Sequence, residues 1–173
     1  MTSGPRFDNN IFIRPTDEAA RQITLTDPNR PLINRAIQGL YPSGSVFKIV
    51  TLAAALEAGN LSAQSGFTCP GYWDGLGSPN RKYCWLETGH GDISLQNALS
   101  ASCNVTFYEV GKILYNEGED ILPTYGKAFG LGQKTGLTEL SEAEGLMPDQ
   151  AWKKEVYHEN WAMGDAVNLA IGQ

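Results

Sequence analysis

The sequence predicts a mainly α chain, on three observations. Apolar residues recur at helical spacing in several stretches, and Gly and Pro collect between those stretches. No alternation of strand length appears beyond Ile11-Phe12-Ile13. The 173 residues are enough for one domain with its own core, and 42% hydrophobic with 18% charged residues is a globular composition rather than a disordered one. Acidic residues outnumber basic ones, 19 to 13, for a net charge of −6. Such a surface repels nucleic acid and anionic lipid, so nucleic-acid partners are excluded. The longest apolar run, Ile49 to Leu56 with Thr51 inside it, falls far short of the ~20 residues that span a bilayer. No charged-then-apolar leader opens the sequence, and the residues as given are expected to be soluble.

Residues 1–44 are punctuated by Pro5, Pro15, Pro28, Pro31, Gly39 and Pro42. A short helix is expected after Pro15, where Thr16-Asp17-Glu18 supplies an acidic first turn. From Ser45 to Ala58 the pattern is a helix apolar almost all round, stopped by Gly59-Asn60. Residues 66–92 hold Gly66, Gly71, Gly75, Gly77, Gly89 and Gly91 and read as loop or short irregular structure. Periodicity returns at Leu95, Ala98 and Leu99, then at Val105, Tyr108, Val110, Ile113 and Leu114, so two helices should meet near Ser102. A further helix covers Ile121 to Phe129, with Pro123 tolerated in its first turn. Residues 130–145 revert to loop, and 148–173 combine a short helix around Trp152 with a tail.

Two polar clusters interrupt this apolar pattern. Ser45-Val46-Phe47-Lys48 is an S-x-x-K string, and ten serines and seven lysines would produce about 0.4 such pairs by chance. Its setting is what carries weight. Pro42-Ser43-Gly44 makes a turn, so Ser45 falls in the first helical turn and Lys48 lies over the same face. A lysine on so apolar a helix is either a snorkelling surface residue or a buried amine. Burial disfavours its charged form, and a neutral amine beside a hydroxyl is a general base beside a nucleophile. The second cluster, Ser102-Cys103-Asn104, sits between two helical runs. Ser102 reads either as a helix N-cap or as a second active hydroxyl. Ser78-Pro79-Asn80 has the same S-x-N form but lies in a Gly/Pro loop that holds geometry poorly. Among the cysteines, Cys69 and Cys84 leave three readings open: free thiols, a disulfide, or, with His90, three ligands of a metal site that lacks the usual close spacing. Cys103 reads as a small buried residue.

In combination these segments resemble the penicillin-binding transpeptidases. Gln38-Gly39-Leu40-Tyr41-Pro42-Ser43-Gly44-Ser45-Val46-Phe47-Lys48 is similar to the family's active-serine segment. Gly89-His90-Gly91, Ala98 to Asn104 running into Phe107-Tyr108, Phe129 to Gly132, Gly145 to Pro148, Trp152-Lys153, Trp161, Gly164-Asp165 and Ala170 to Gln173 follow in family order. The likeness covers essentially the whole chain and is strongest to the class B, elongation-type monofunctional enzymes. The family more often has Pro at Ser43 and Thr at Val46, two positions outside the chemistry.

The resemblance implies that residues 1–173 are a partial transpeptidase domain: the helical portion of an α+β fold shared with serine β-lactamases, with most of the central antiparallel sheet absent. It implies that Ser45 attacks the carbonyl of a D-Ala-D-Ala stem peptide of peptidoglycan, with Lys48 taking the Ser45 proton. Ser102 would relay a proton to the leaving group, Asn104 would hold the substrate amide, and the Ser45 N–H would serve as an oxyanion donor. β-Lactam antibiotics would acylate the same serine. No cofactor and no metal are implied. An extracytoplasmic setting at the cell membrane, an anchor outside these residues and cell-wall synthesis partners are expected. That compartment would permit a Cys69–Cys84 bridge.

Lys134-Thr135-Gly136 looks like the family's third motif, K-T-G, but is read as a non-catalytic loop because no strand pattern surrounds it. Met1 to Asp8 resembles the end of the family's second strand. The 173 residues alone are therefore expected to expose an apolar face, to be poorly stable and to be weak catalytically. The alternatives are a β-lactam sensor or silent penicillin-binding module and, with Glu142 or Glu144 as deacylating base, a serine β-lactamase.

Overall fold

The computed structural model describes residues 3–58 and 60–173. Helices dominate it. They are α1 (Glu18–Thr26), α2 (Arg35–Gln38), α3 (Lys48–Glu57), α4 (Leu95–Ser100), α5 (Asn104–Glu117), α6 (Ile121–Ala128), α7 (Gln150–Tyr157) and α8 (Met163–Leu169). No helix among the described residues is long and apolar enough to cross a membrane. The chain divides into two compact units, one of Met1–Tyr41 with Lys134–Gly145 and one of Pro42–Gln133 with Leu146–Gln173.

The first unit holds α1, α2 and short 3-10 turns at Asn9–Phe12 and Pro15–Asp17. Ile11-Phe12-Ile13, the one stretch that hinted at a strand, belongs to the first of these turns. The Asp8 carboxylate accepts from the Asn10 N–H at 2.9 Å, offering the backbone a local turn in place of a ladder. Residues 3–8 form no strand either, and Met1 and Thr2 of that expected strand lie outside the described residues. Lys134-Thr135-Gly136 has neither helix nor strand, and the Thr135 N–H donates to Glu142 Oε1 at 2.8 Å.

The second unit is built on α5, which supplies both of its apolar clusters. Val110 and Leu114 pack with Phe47, Val50, Ala54 and Ala55 around α3 and with Leu122 of α6. Val105, Phe107 and Tyr108 pack with Trp73, Ala98, Val167 and Ile171 and with all three cysteines. Helix α8 lies against α5 at Gly111, where an added Cβ would come within 2.7 Å of the Ala170 Cβ. Outward, Val46 (71% exposed) in the turn just before α3, with Ile49 and Leu56 of α3, leaves an uncovered apolar face.

Two differences from the sequence reading matter. Residues 66–92 are not all loop: β1 (Gly66–Cys69) pairs antiparallel with β4 (Gly91–Ser94), and β2 (Tyr72–Trp73) with β3 (Lys82–Tyr83). Strands of two to four residues are too short for alternation to register, and backbone ladders rather than side-chain pattern define them. The tail is also not irregular, because Met163, Ala166, Val167 and Ala170 lie on one helical face. Gly164, Asp165 and Asn168, all poor helix formers, mask that spacing. The helix expected from Ser45 begins as a 3-10 turn, Gly44–Phe47, before α3 starts at Lys48. Gly59, expected to end it, lies outside the described residues.

Candidate active site

Ser45 sits exposed in the 3-10 turn ahead of α3, where the first N–H groups of a helical segment lack intrahelical partners. That turn is braced from below. Gly44 N–H donates to Gly172 O at 3.1 Å, and a Cβ on Gly172, itself at φ +77°, would come 2.2 Å from Gly44 O. Only glycine permits that approach. One turn further on, the Thr51 hydroxyl donates to Ala170 O at 2.9 Å. The start of α3 is thereby tied to the end of α8.

Lys48 is fully buried, at 0% exposure. Its Nζ donates to Ser102 O (2.8 Å), Ser102 Oγ (3.1 Å) and Asn104 Oδ1 (2.7 Å), and lies 5.5 Å from the centre of the Phe107 ring. None of the three acceptors is a carboxylate. Burial therefore pushes the Lys48 amine below its ordinary value of 10.5, against a smaller opposing pull from the Cys103 and Cys84 thiols.

The connection between α4 and α5 brings the second cluster to this amine. Ser102 takes a left-handed backbone at φ +50°, uncommon for a residue with a Cβ. Ser102 N–H donates to Leu99 O at 3.0 Å, Cys103 N–H to Ala98 O at 2.9 Å, and the Trp85 indole N–H to Ala101 O at 3.1 Å. Held this way, the Ser102 hydroxyl lies 3.0 Å from Ser45 Oγ. Cys103, not Ser102, is the N-cap of α5.

All four site residues expected from the sequence thus meet, in a linear order. Ser45 contacts Ser102, Ser102 contacts Lys48, and Lys48 contacts Asn104; no hydrogen bond joins Lys48 directly to Ser45 among the described residues. Of the three atoms facing Nζ, only Ser102 Oγ carries a proton it can donate. With Lys48 charged, the bonds run from Nζ to Ser102 Oγ and from Ser102 Oγ to Ser45 Oγ; with a neutral amine the order would reverse, Lys48 accepting from Ser102 and Ser102 from Ser45. Asn104 Oδ1 is engaged by Lys48, which leaves its Nδ2 hydrogens for a ligand carbonyl. Ser78-Pro79-Asn80, the other S-x-N string, forms an exposed 3-10 turn.

Behind this chain of hydroxyls lies a second group of side chains. The thiols of Cys69, Cys84 and Cys103 and the imidazole of His90 bring their ligand atoms within 4.8 Å of one another. No disulfide joins the thiols. Cys69 closes β1 opposite Gly91 of β4, Cys84 follows β3, His90 precedes β4, and Cys103 caps α5. Cys84 Sγ and His90 Nδ1 are 3.6 Å apart, while His90 Nε2 is buried without a hydrogen-bond partner. The sequence had suggested Cys69, Cys84 and His90 as a three-ligand alternative and Cys103 as packing; the fold adds the Cys103 sulfur as a fourth donor. Three soft thiolates and one imidazole suit a tetrahedral zinc-class cation, whose sulfurs at about 2.3 Å would stand about 3.8 Å apart. A bound cation would cross-link the end of β1, the segment after β3, the residue before β4 and the start of α5.

The family model for the penicillin binding protein transpeptidase domain matches residues 1–172. The peptidoglycan D,D-transpeptidase MrdA of Escherichia coli strain K12 is 35% identical over 173 residues, which is 100% of this chain and 27% of that protein. The crystal structure of Pseudomonas aeruginosa PBP2 in complex with WCK 5153 superposes with a TM-score of 0.91 at 35% identity, over 100% of this chain and 37% of that one. Penicillin-binding protein A from Mycobacterium tuberculosis, as its penicillin G acyl-enzyme complex, gives a TM-score of 0.79 at 29% identity, over 99% of this chain and 38% of that one. The chain spans about a quarter of the length of the curated relative it matches.

Proposed function

The chain belongs to the penicillin binding protein transpeptidase family, and from that premise we propose that it supplies the acylating centre of a peptidoglycan D,D-transpeptidase. Ser45 Oγ forms a bond to the carbonyl carbon of the penultimate D-Ala of a stem peptide. The amide C–N bond breaks, and the terminal D-Ala leaves with a proton on its amine. An acceptor amine then attacks the ester carbonyl: the cross-linking C–N bond forms, the C–Oγ bond breaks, and the acceptor's proton returns to Ser45 Oγ. The Ser45 proton travels through Ser102 Oγ to the Lys48 amine, and Ser102 returns it to the leaving nitrogen. Asn104 Nδ2 holds the substrate amide, and the Ser45 N–H stabilises the developing oxyanion.

One observation carries this reading: a fully buried lysine without a carboxylate partner, joined through the Ser102 hydroxyl to an exposed serine at the start of a helix. β-Lactams present an amide carbonyl in a strained four-membered ring in place of the unstrained peptide bond, and are expected to trap Ser45 as an ester. By this reading, residues 1–173 are one partial transpeptidase domain. The full-length protein acts on the extracytoplasmic face of the cell membrane alongside cell-wall synthesis partners.

Fluorescent penicillin and intact-mass measurement on the full-length protein provide the test. One drug equivalent should attach, and Ser45→Ala should abolish it. Covalent drug mass that persists after that substitution would overturn the nucleophile. The 173 residues alone should label far more slowly than the full-length protein.

A further inference from the structure

The ribbon of β2 and β3 turns one face to the core and the other to solvent. Tyr72 stands opposite Tyr83 and Trp73 opposite Lys82. On the inner face Trp73 is buried, and its indole N–H donates to Glu109 Oε2 of α5 at 2.7 Å. Lys82 Nζ donates to Asn168 Oδ1 of α8, also at 2.7 Å. The ribbon is thus pinned to both helices, so its outer face is presented on a rigid support. Strand side chains alternate, and Arg81, Tyr83 and Trp85 accordingly share that outer face with Tyr72. Tyr83 is 66% exposed and Trp85 62%. The Arg81 guanidinium lies over the Tyr72 ring, 4.4 Å from its centre, and is steadied by Asp74 Oδ2 at 3.4 Å.

This stripe of rings starts beside the candidate active site. The Trp85 indole N–H donates to Ala101 O at 3.1 Å, and the next residue, Ser102, holds its hydroxyl 3.0 Å from Ser45 Oγ. At ~3.3 Å per extended residue the stripe runs about 13 Å from Trp85 out to Arg81. A stem peptide of a few residues, bound extended with its reacting carbonyl at Ser45, reaches a similar distance before it joins its sugar. Exposed rings contribute no burial to the fold, and a contiguous set of them next to a reactive centre marks a binding surface. The shape of the stripe selects the ligand. A peptide is held by pairing to a strand edge or by lying in a groove. Tyr83 and Trp85 instead offer open ring faces, onto which the C–H face of a sugar ring stacks. Arg81, all donors and no acceptor, matches the carbonyl oxygen of an acetamido group.

We propose that Tyr83 and Arg81 form a carbohydrate subsite for the N-acetylated glycan that carries the donor stem peptide. The sugar ring stacks on Tyr83, its acetamido oxygen accepts from Arg81, and Trp85 continues the surface toward Ser45. The subsite touches none of the reacting atoms. It adds affinity for a substrate that still bears its sugar and gives a sugar-free peptide nothing. The inference rests on the acyl-transfer reading above, which supplies the sugar-bearing substrate and the direction of its peptide.

The experiment uses the full-length protein carrying Ser45→Ala, which binds substrate without being acylated. Calorimetric titration compares two probes: a soluble N-acetylglucosaminyl-N-acetylmuramyl pentapeptide and the same pentapeptide without its sugars. The sugars should tighten binding about 10-fold, the effect of one stacking contact and one hydrogen bond to a charged group. Adding Tyr83→Ala or Arg81→Gln should bring the two affinities to within about 3-fold of each other. Tyr83→Trp, which keeps a stacking face, should retain most of the difference. Because two separate positions are tested, a failure of one variant to fold leaves the other to decide. Equal affinities for the two probes before either position is changed overturn the subsite. So does a 10-fold ratio that survives both Tyr83→Ala and Arg81→Gln, including the case in which both probes weaken alike because the stripe holds peptide rather than sugar. Failure of the acyl-transfer reading would show elsewhere, as a full-length protein with Ser45 intact that takes up no penicillin while the affinity ratio stands.

Discussion

Two lysines of the second unit answer the same problem in opposite ways. Lys48 is sealed among Ser102 O, Ser102 Oγ, Asn104 Oδ1 and the Phe107 ring. Lys153, with 14% of its side chain exposed, meets Asp165 Oδ2 at 2.6 Å and Glu159 Oε2 at 3.5 Å. Burial lowers the pKa of Lys48, whereas the hydrogen bond and charge of Asp165 raise that of Lys153. Carboxylate partners keep a lysine charged and structural, while neutral acceptors in a dry site leave it ready to lose a proton. The fold offers each lysine one environment and not the other.

The sharpest way to break this contrast is Lys48→Met. Acylation by fluorescent penicillin should fall about 10³-fold in the full-length protein, because a general base of this kind contributes roughly 10²–10⁴. Its unfolding midpoint should move far less, since the penalty for burying an amine goes with it. Equal collapse of fold and acylation would mean that Lys48 is structural. Asn104→Ala removes both the acceptor that orients Lys48 and a donor to substrate. A loss of about 10–100-fold is expected in the same assay, the value of one or two hydrogen bonds to a polar or charged group.

The pH dependence of stability should then separate the two amines by sign. Between the lowered folded pKa of Lys48 and 10.5, the unfolded chain holds a proton that the folded chain lacks. Unfolding free energy therefore rises with pH in that window, by up to about 1.4 kcal/mol per pH unit, and Lys48→Met should remove the rise. The raised pKa of Lys153 works in reverse. Its contribution is complete below 10.5 and is lost as pH climbs from there through the folded value. Denaturant titrations across that range would test both slopes, and slopes of the same sign would contradict the contrast. The smallest effect belongs to Lys153→Met. It should cost about 1 kcal/mol of stability, as a partly exposed pair does, and change acylation less than about 3-fold.

The parts of this molecule legible before folding are those in which chemistry depends on neighbours along the chain. Ser45 and Lys48 are three residues apart, so one turn of helix relates them wherever the helix goes. The runs that become α3, α5 and α6 announce themselves by apolar spacing for the same reason. Ser102-Cys103-Asn104 is a polar break between two such runs, but its reach to Lys48 does not follow from spacing, because Ser102 lies 54 positions along the chain from Lys48.

Short-range pattern determined that this chain is mainly helical and that it carries a serine and a lysine on one turn. Only the tertiary structure decided that Ser102 stands between them, that Lys48 is wholly dry, and that Cys103 faces Cys69, Cys84 and His90. Those outcomes depend on chain closure through glycine-permitted approaches and on ladders a few residues long. Neither leaves a periodic trace in sequence, because each is set by what a residue meets across space rather than by what precedes it.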